Sequence, residues 1–431
     1  MAKFRSLLKF FSFQTLLSTA TTSHPIQSYD YIIIGGGTAG LAIAARLTEN
    51  PQTSVLVLEA GDDHSNDTNV LAPGLYTGIW GELGNVNWSW EALDPFFKRS
   101  ERFVSPSRVV EHDLQTESIV PNIHGDDGPI SNTFPDIYGL IDEAWPRTFE
   151  ALGLDVKSDP RDGLALGGYT NLLNLDLNGR KRIYAATAYY LPASKRPNLK
   201  VITGALVEKI ILKKGHEGVT ATGVVYSNGT VANAKKEVIV SAGSIGSPQV
   251  LELSGIGNTD ILNKQGIEVF VNNKNVGENL QDHVYVPIGF RVNPGINTLD
   301  NFTDPAFFDA AYDEYLTNST GPLATTGASS GLLSCPQIGC KNLIPPVKFS
   351  NKLRPGLREQ YELQAKYFAT EAVTQDSSSR LNQETTSHSS AFSNILFPVV
   401  PLTFPPLPRL PTQPSTLITF LTHSISRYSP P

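Results

Sequence analysis

The chain has 431 residues, enough for two or three domains. Its content of 40% hydrophobic and 17% charged residues is typical of a globular protein. The formal net charge of −7 gives no reason to expect nucleic acid or an anionic membrane as a partner. Beyond the N-terminal region no apolar stretch is long enough and sufficiently free of charged residues to span a bilayer, so we expect no transmembrane segment.

Residues 1–20 resemble a secretory signal peptide. Lys3 and Arg5 give a basic start, a largely apolar stretch follows, and small residues end it at Ala20. The alternative is a disordered leader before the first strand. We therefore expect an extracellular protein, with the cytoplasm as the alternative location. In a secreted chain five N-x-S/T sequons would be candidate glycosylation sites: Asn66, Asn87, Asn228, Asn301 and Asn318.

The most informative segment is residues 29–59. An apolar strand enters a G-x-G-x-x-G turn, formed by Gly35, Gly37 and Gly40, and a helix opens at this turn. A second apolar strand follows, and Glu59 stands about 20 residues beyond the last glycine, the spacing of a ribose-binding carboxylate. The order of strand, glycine turn, helix, strand and acid predicts a dinucleotide-binding fold. The alternative is an ordinary glycine-rich turn between a strand and a helix.

Each glycine of this turn has a physical role in such a fold. Gly35 permits the tight turn, Gly37 lets the backbone approach a pyrophosphate, and Gly40 lets the helix pack closely on the strand. The helix N-terminus would then present free N–H groups and the positive end of its dipole to the phosphates.

Further elements follow along the chain. A helix is expected from Ser89, and the tail at 369–431 is polar and then proline-dense, which predicts disorder. Cys335 and Cys340 could form one local disulfide or remain two thiols. The remaining predicted elements are a helix over roughly Ile137 to Leu152, strands at Leu199 to Thr203, Val207 to Leu212, Ala221 to Tyr226 and Glu237 to Val240, and a hairpin turn at Asn228-Gly229.

A second motif occupies residues 237–257. A strand runs into a turn of small residues at Ser241 to Gly246, and Pro248 then occupies the first turn of a short helix over Gln249 to Ser254. Small residues at the carboxyl end of a strand let the backbone approach a cofactor. On physical grounds alone, a turn without any cofactor contact is an equal alternative.

These motifs together resemble the glucose–methanol–choline (GMC) flavoprotein oxidoreductases. The resemblance covers roughly residues 29–368 and rests on the second motif together with three other segments. These are Asn275 to His283, with its N-L-x-D-H-like end, the Trp-rich region from Leu83 to Glu101, and Gly179 to Ala193.

The resemblance implies an α/β (α+β overall) protein with a Rossmann-like FAD-binding domain, formed by residues 29–105 and 199–290. A substrate domain formed by 106–198 and 291–368 would be inserted in it, and the fold would be incomplete at the C-terminus. The implied reaction is oxidation of a small-molecule alcohol by hydride transfer to FAD, with dioxygen or another compound as electron acceptor. The implied cofactor contacts are Gly35, Gly37, Thr38, Ala39 and Gly40 at the pyrophosphate, Glu59 at the ribose, the backbone of Val207 at the adenine, and Ala242 along the cofactor.

The sequence departs from the family pattern in two places. The glycine- and serine-rich first signature is absent at the junction of Gly78 and Ile79. The block that carries the family's catalytic histidine is absent after Phe368. His283 lies inside a family motif but is expected to be structural, and the histidines outside that motif, His124 among them, lie in polar, loop-like contexts or in segments expected to be disordered. We therefore assign no catalytic residue and no metal ligand.

Three functional hypotheses follow from the resemblance and these departures. The first is an FAD-dependent alcohol dehydrogenase or oxidase of a secondary-metabolite or secreted oxidative pathway. The second is a truncated remnant, or the product of an incorrect gene model, without catalytic activity. The third is a relative that acts as a hydroxynitrile lyase.

Overall fold

The computed structural model describes most of the segment from residue 27 to residue 333. The leader at 1–20, Asn66, Asn87, the Gly78–Ile79 junction, the two cysteines, His283 and the tail at 369–431 lie outside the described residues. The described residues are 27–61, 90–157, 159, 161, 166–216, 218–280, 291–293, 295–296, 298–333, 358–359 and 361–362.

The described residues form both strands and helices. The strands are β1 (Gln27–Ile34), β2 (Val55–Leu58), β3 (Glu101–Val104), β4 (Ile130–Thr133), β5 (Val156–Lys157), β6 (Gly167–Thr170), β7 (Leu173–Asp176), β8 (Lys181–Arg182), β9 (Leu199–Ile202), β10 (Val207–Gly215), β11 (Gly218–Tyr226), β12 (Thr230–Val240), β13 (Ile256–Gly257), β14 (Val271–Asn272) and β15 (Ser329–Leu332). The helices are α1 (Thr38–Leu47), α2 (Trp90–Ser100), α3 (Arg108–Asp113), α4 (Leu140–Ala151), α5 (Leu191–Ala193), α6 (Gly243–Leu253), α7 (Thr259–Lys264) and α8 (Pro305–Asn318), with short 3-10 helices at Pro121–Ile123, Leu299–Thr303 and Pro322–Ala324 and a π-helix at Ala186–Tyr190.

A six-stranded sheet of order β10-β11-β12-β1-β2-β9 forms the centre of the fold. The four strands β12, β1, β2 and β9 run parallel, whereas β10, β11 and β12 are joined as antiparallel hairpins. The sequence of β2 is uninterrupted Val-Leu-Val-Leu with all four residues buried, as expected for a parallel strand covered on both faces. This confirms the predicted α/β, Rossmann-like architecture.

Alternate residues of the central strands pack into two separate cores. Ile32 and Leu56 pack on one face of the sheet with residues of β10 to β12 and with Val250 of α6. Ile33 and Val57 pack on the opposite face against Ala44 of α1. The small alanine side chains of α1 bring the helix axis close to the strand, which places the N-terminus of α1 directly at the glycine turn.

The structure confirms the predicted hairpin turn but corrects the predicted start of the helix near Pro248. The hairpin turn between β11 and β12 is confirmed, because Asn228 and Gly229 take left-handed φ values of 63° and 89° that suit these two residues. The short helix predicted to follow Pro248 was wrong in its start, since α6 already begins at Gly243 and Pro248 lies inside it. The preceding strand is hydrogen-bonded up to Ser241, so the chain turns into the helix immediately afterwards.

A second region contains a four-stranded sheet of order β3-β4-β7-β8 and a three-stranded sheet of order β15-β6-β5. The antiparallel pairing of β15 with β6 joins the two segments that the sequence assigns to the substrate domain, whose boundaries stay a prediction. Phe149 of α4 fills the space over Gly168 and Gly331, because a Cβ on either glycine would lie 2.4–2.5 Å from its ring. Among the helices of the described ranges, none has the length and hydropathy needed to cross a bilayer.

Candidate cofactor site

The two glycine-rich turns of the sequence lie side by side at one edge of the central sheet. Ile34 ends β1 in register with Val240, which ends the parallel neighbour β12. Since both strands run in the same direction, α1 and α6 begin next to each other at the carboxyl edge. Open α/β sheets bind their ligands at this edge, so the geometry brings both motifs to the expected place.

The two turns are in direct contact. The backbone N–H of Ser241 donates to the carbonyl oxygen of Ile34 at 2.9 Å, and its hydroxyl lies 3.1 and 3.2 Å from the carbonyl oxygens of Ile34 and Gly35. A Cβ on Gly35, whose φ is +99°, would lie 2.6 Å from the carbonyl oxygen of Ser241. A Cβ on Gly40 would lie 2.0 Å from the carbonyl oxygen of Gly35. Both positions therefore require glycine for packing.

Gly37 differs from these two glycines, because the space beside it is open. A Cβ added at Gly37 would meet no atom within 4 Å, and Gly37, Thr38 and Ala39 are exposed. Gly37 is the N-cap of α1 and provides no side-chain cap, so the first N–H groups of the helix have no partner within it. This cradle of free N–H groups beside empty space suits a pyrophosphate, as the sequence predicted for these residues.

The dipoles of both helices add to this site. Neither α1 nor α6 carries an acidic residue in its first turn, so no carboxylate there neutralises the positive end of the dipole. The second turn also presents open backbone, since Gly243 takes a φ of +77° and a Cβ there would meet nothing within 4 Å. Ala242, predicted to run along the cofactor, is the N-cap of α6 and contacts the Gly35 turn.

Glu59 holds the glycine turn in place. Its Oε2 accepts a hydrogen bond from the N–H of Gly36 at 2.6 Å, and its Oε1 accepts one from the N–H of Gly61 at 2.8 Å. Each carboxylate oxygen retains a second lone pair that can accept from a hydroxyl group. The carboxylate thus lies beside the pyrophosphate cradle, where the sequence expects a ribose. Its bonds to the backbone of the turn are a feature that the spacing rule does not reveal.

The segment before β10 runs next to Glu59. The N–H of Ala205 donates to the carbonyl oxygen of Glu59 at 2.7 Å, and the N–H of Gly204 donates to that of Gly61 at 2.8 Å. Val207, predicted at the adenine, begins β10 with its side chain buried in the core. The contact of Val207 with the adenine stays a prediction, and the buried side chain leaves the backbone as the part that would make it.

The histidines of the described residues lie apart from these two turns. His112 and His216 are exposed, whereas His124 lies beside β3 with its side chain only 4% exposed. His124 does lie in a polar loop, as its sequence context indicates, but Glu101 and Asp159, which are distant in sequence, bury its side chain there. Within the described ranges no group of three or more His, Cys, Asp and Glu side chains could hold a metal ion.

Two family models match the chain. Residues 76–285 match the model described as GMC oxidoreductase, and residues 30–112 match the one described as FAD dependent oxidoreductase. The first match includes the α6 turn, and the second includes the Gly35 turn and Glu59. Both motifs of the site therefore lie within matches to flavin-dependent oxidoreductases.

Curated fungal proteins and solved structures are similar to the chain. GMC oxidoreductase family protein Mala s 12 of Malassezia sympodialis is 34% identical over 354 residues, covering 68% of this chain and 57% of that protein. Dehydrogenase mpl7 of Monascus purpureus is 34% identical over 358 residues, covering 69% of this chain and 56% of that protein. An FAD-dependent oxidoreductase from Chaetomium thermophilum superposes with a TM-score of 0.67 at 26% identity, covering 79% of this chain and 70% of that one. This chain thus spans somewhat more than half the length of the curated relatives.

Proposed function

This chain belongs to the GMC oxidoreductase family, whose cofactor is FAD, and we propose that it binds FAD by the ADP half at the carboxyl edge of the central sheet and oxidises a small-molecule alcohol. FAD, when bound, supplies a hydride acceptor for the CH–OH group of the alcohol. Dioxygen or another small acceptor would then regenerate the oxidised flavin. The dehydrogenase name of the Monascus relative supports this class of reaction.

One observation carries the proposal: two open helix N-termini start from adjacent parallel strands and are joined by Ser241. Each residue of the site then has a distinct task. Gly37 and the first N–H groups of α1 bind the pyrophosphate, and Glu59 accepts hydrogen bonds from the ribose while it holds Gly36. The tight packing of Gly35 and Gly40 keeps the cradle rigid, so that little ordering is needed on binding.

The open space at Gly37 permits a test that separates binding from folding. We expect Gly37→Leu to weaken binding of FAD and of ADP at least about tenfold, because the side chain occupies the approach of the pyrophosphate. Its φ of −78° suits any residue, so the melting temperature should stay close to that of the wild type. Affinity is measured by calorimetric titration with each nucleotide.

Gly139→Leu is the matched control for this substitution. Gly139 is likewise the N-cap of a helix, α4, with an extended backbone and an open neighbourhood, but it lies in the second region of the fold. It should leave the affinity for both nucleotides unchanged. Equal affinities of wild type and Gly37→Leu, or a wild type that binds neither nucleotide, would refute the proposed site.

Catalysis is tested separately from binding. The purified full-length chain, saturated with FAD, is mixed without oxygen with primary, secondary and aryl alcohols, and the flavin absorbance is followed. Bleaching by one of these alcohols supports the alcohol oxidoreductase. If the chain binds FAD but none of these alcohols bleaches the flavin, the result supports the non-catalytic remnant. If the chain cleaves a hydroxynitrile without bleaching of the flavin, the result supports the lyase.

We also propose that the protein is secreted and glycosylated. Asn228 lies exposed in the hairpin turn and Asn318 lies exposed at the end of α8, so both sequons are accessible to the transferase. Asn301 accepts a hydrogen bond from the N–H of Thr298 at 2.8 Å, which makes it a poorer acceptor site. After expression in a secreting eukaryotic cell, the protein should be found in the culture medium. Treatment of this secreted protein with an endoglycosidase should release glycans from it. Retention of an unmodified chain inside the cell would contradict this proposal.

A further inference from the structure

A buried cluster of charged side chains lies in the second region of the fold. Its centre is His124, in the loop before β4, and its other members are Glu101 at the start of β3, Asp159, Arg161 and Asn132. The side chains of His124, Glu101 and Asp159 are 4%, 3% and 1% exposed. Charges so deeply buried must be paired or neutralised, so the cluster needs an explanation that the cofactor site does not give.

Both ring nitrogens of His124 face a carboxylate. Nδ1 lies 3.3 Å from both oxygens of Glu101, and Nε2 lies 3.0 Å from Oδ2 of Asp159. A neutral imidazole has one donor and one acceptor nitrogen, so it could satisfy only one of the two carboxylates. With both carboxylates ionised, the geometry therefore requires the doubly protonated imidazolium. The ring of Phe103 stacks on it at 4.1 Å between centroids.

The cluster joins segments that are far apart in the sequence. Glu101 also accepts from Asn132 at 2.7 Å and from the N–H of Gly125 at 3.0 Å, and it pairs with Arg161. Asp159 accepts from the N–H of Val120 at 3.2 Å and from that of Arg161 at 3.0 Å. The loop at 120–125 is thus fastened from two sides, by β3 and by Asp159.

We propose that His124 is a pH-sensitive latch, which fastens the loop at 120–125 to β3 and to Asp159 while its ring is protonated and releases this loop when the proton is lost. The charged groups that face the ring are Glu101 and Asp159, and Arg161 adds a cation against Glu101. While the loop is fastened, the negative charges of Glu101 and Asp159 are balanced by the positive charges of His124 and Arg161. Loss of the ring proton leaves a net negative charge in a buried site and removes one hydrogen bond, which is strongly unfavourable.

The shifts in pKa agree with this geometry. Burial opposes the charge on His124, but the hydrogen bonds to Asp159 and Glu101 outweigh it and hold the pKa of the imidazole above its usual range. Burial also opposes the charges of Glu101 and Asp159, and the hydrogen bonds from His124 outweigh it, so both pKa values lie below their usual range. The imidazolium therefore contributes stability that is complete below about pH 6.5 and is lost as the pH rises through the raised pKa. The carboxylates contribute stability that is complete above about pH 4 and is lost as the pH falls through their lowered pKa values.

Hydrogen exchange of the wild-type, full-length chain tests the latch without any substitution. The N–H groups of Val120 and Gly125 donate directly to Asp159 and Glu101. After correction for the intrinsic rate, we expect the protection of peptides covering 119–125 to fall between about pH 6 and about pH 9.5, whereas that of peptides covering β1 and β2 stays constant. Parallel behaviour of both sets across this range would overturn the proposal.

A pair of histidine variants provides the second test. The melting temperature of the wild type should exceed that of His124→Gln near pH 6, and this difference should narrow by about 2–4 °C toward pH 9. His112→Gln is the control, because His112 is exposed and faces the single carboxylate of Asp113 at 3.0 Å. This variant should not show the narrowing expected of His124→Gln between about pH 6 and about pH 9, because an exposed pair contributes little to stability. A constant difference between wild type and His124→Gln would contradict the latch, and the exchange measurement decides the matter if this variant does not fold.

Discussion

The two regions of this molecule bind charge in opposite ways. The cofactor edge offers backbone N–H groups and helix dipoles. Gly35 and Gly40 position these groups, and both are packed so tightly that an added Cβ would lie only 2.0–2.6 Å from a neighbouring carbonyl oxygen. The His124 cluster uses ionised side chains that neutralise one another. Backbone dipoles do not titrate, whereas the imidazole does. We therefore expect the cofactor edge to keep its geometry across a pH range in which the His124 cluster opens.

The largest effect is expected in the His124 cluster. Glu101→Ala removes the acceptor shared by His124, Arg161, Asn132 and Gly125 and leaves the buried imidazolium and the partly exposed guanidinium with one anion, at a cost of about 3–5 kcal/mol in the free energy of unfolding. Urea denaturation at pH 6 measures it.

The control for this change is Glu117→Ala, which truncates an exposed carboxylate in the same part of the chain. Its free energy of unfolding should stay within about 0.5 kcal/mol of the wild type. Equal effects of the two variants would show that the cluster contributes no more than a surface charge, and the contrast between the two regions would disappear.

Packing at the glycine turn gives the second effect. Gly40→Ala places a methyl group 2.0 Å from the carbonyl oxygen of Gly35, which should reduce the free energy of unfolding by about 1–3 kcal/mol and weaken FAD binding. Gly37→Ala in the same turn meets no atom within 4 Å and should leave stability unchanged or slightly raised. Equal losses in both variants, measured by urea denaturation, would contradict the assignment of packing to one glycine and ligand approach to the other.

Glu59 contributes both to the stability of the glycine turn and to the proposed binding of the ribose. Glu59→Gln turns one acceptor oxygen into an NH₂ donor that faces the N–H of Gly36 or of Gly61, at an expected cost of about 1–3 kcal/mol in unfolding free energy and with weaker binding of ADP. Thermal melts and calorimetric titration with ADP measure the two effects. Glu49→Gln, which alters an exposed partner of Arg46, should change neither. If Glu59→Gln binds ADP as the wild type does, the carboxylate serves the turn alone.

The smallest effect is expected at Ser241. Ser241→Ala deletes the hydroxyl that lies near the carbonyl oxygens of Ile34 and Gly35 but keeps the backbone hydrogen bond, so about 0.5–1.5 kcal/mol of unfolding free energy should be lost. Ser244→Ala, at an exposed position of the same helix, should stay within about 0.5 kcal/mol of the wild type. An indistinguishable pair of urea curves would show that the Ser241 hydroxyl adds nothing to the backbone hydrogen bond and the packing between the two turns.

Local patterns predicted the central part of the fold well. The strand, glycine turn and helix around Gly35 are consecutive in sequence, so their chemistry and spacing suffice to identify them. The hairpin at Asn228-Gly229 is equally local, because both residues tolerate the left-handed backbone that the turn requires. The start of α6 was not predictable from Pro248 alone, because the hydrogen bond between Ser241 and Ile34 fixes where the strand ends.

The sequence by itself determined which residues can approach a phosphate, since glycine spacing, an apolar strand and a helix start are properties of one short segment. It could not show that Ser241 bonds to Ile34 and Gly35, more than 200 residues earlier, or that Glu59 holds Gly36. It also could not show that His124, which looks like a polar loop residue, is buried between Glu101 and Asp159. Tertiary structure decided these points, because burial and pairing of charges depend on segments that meet only when strand edges and loops pack together.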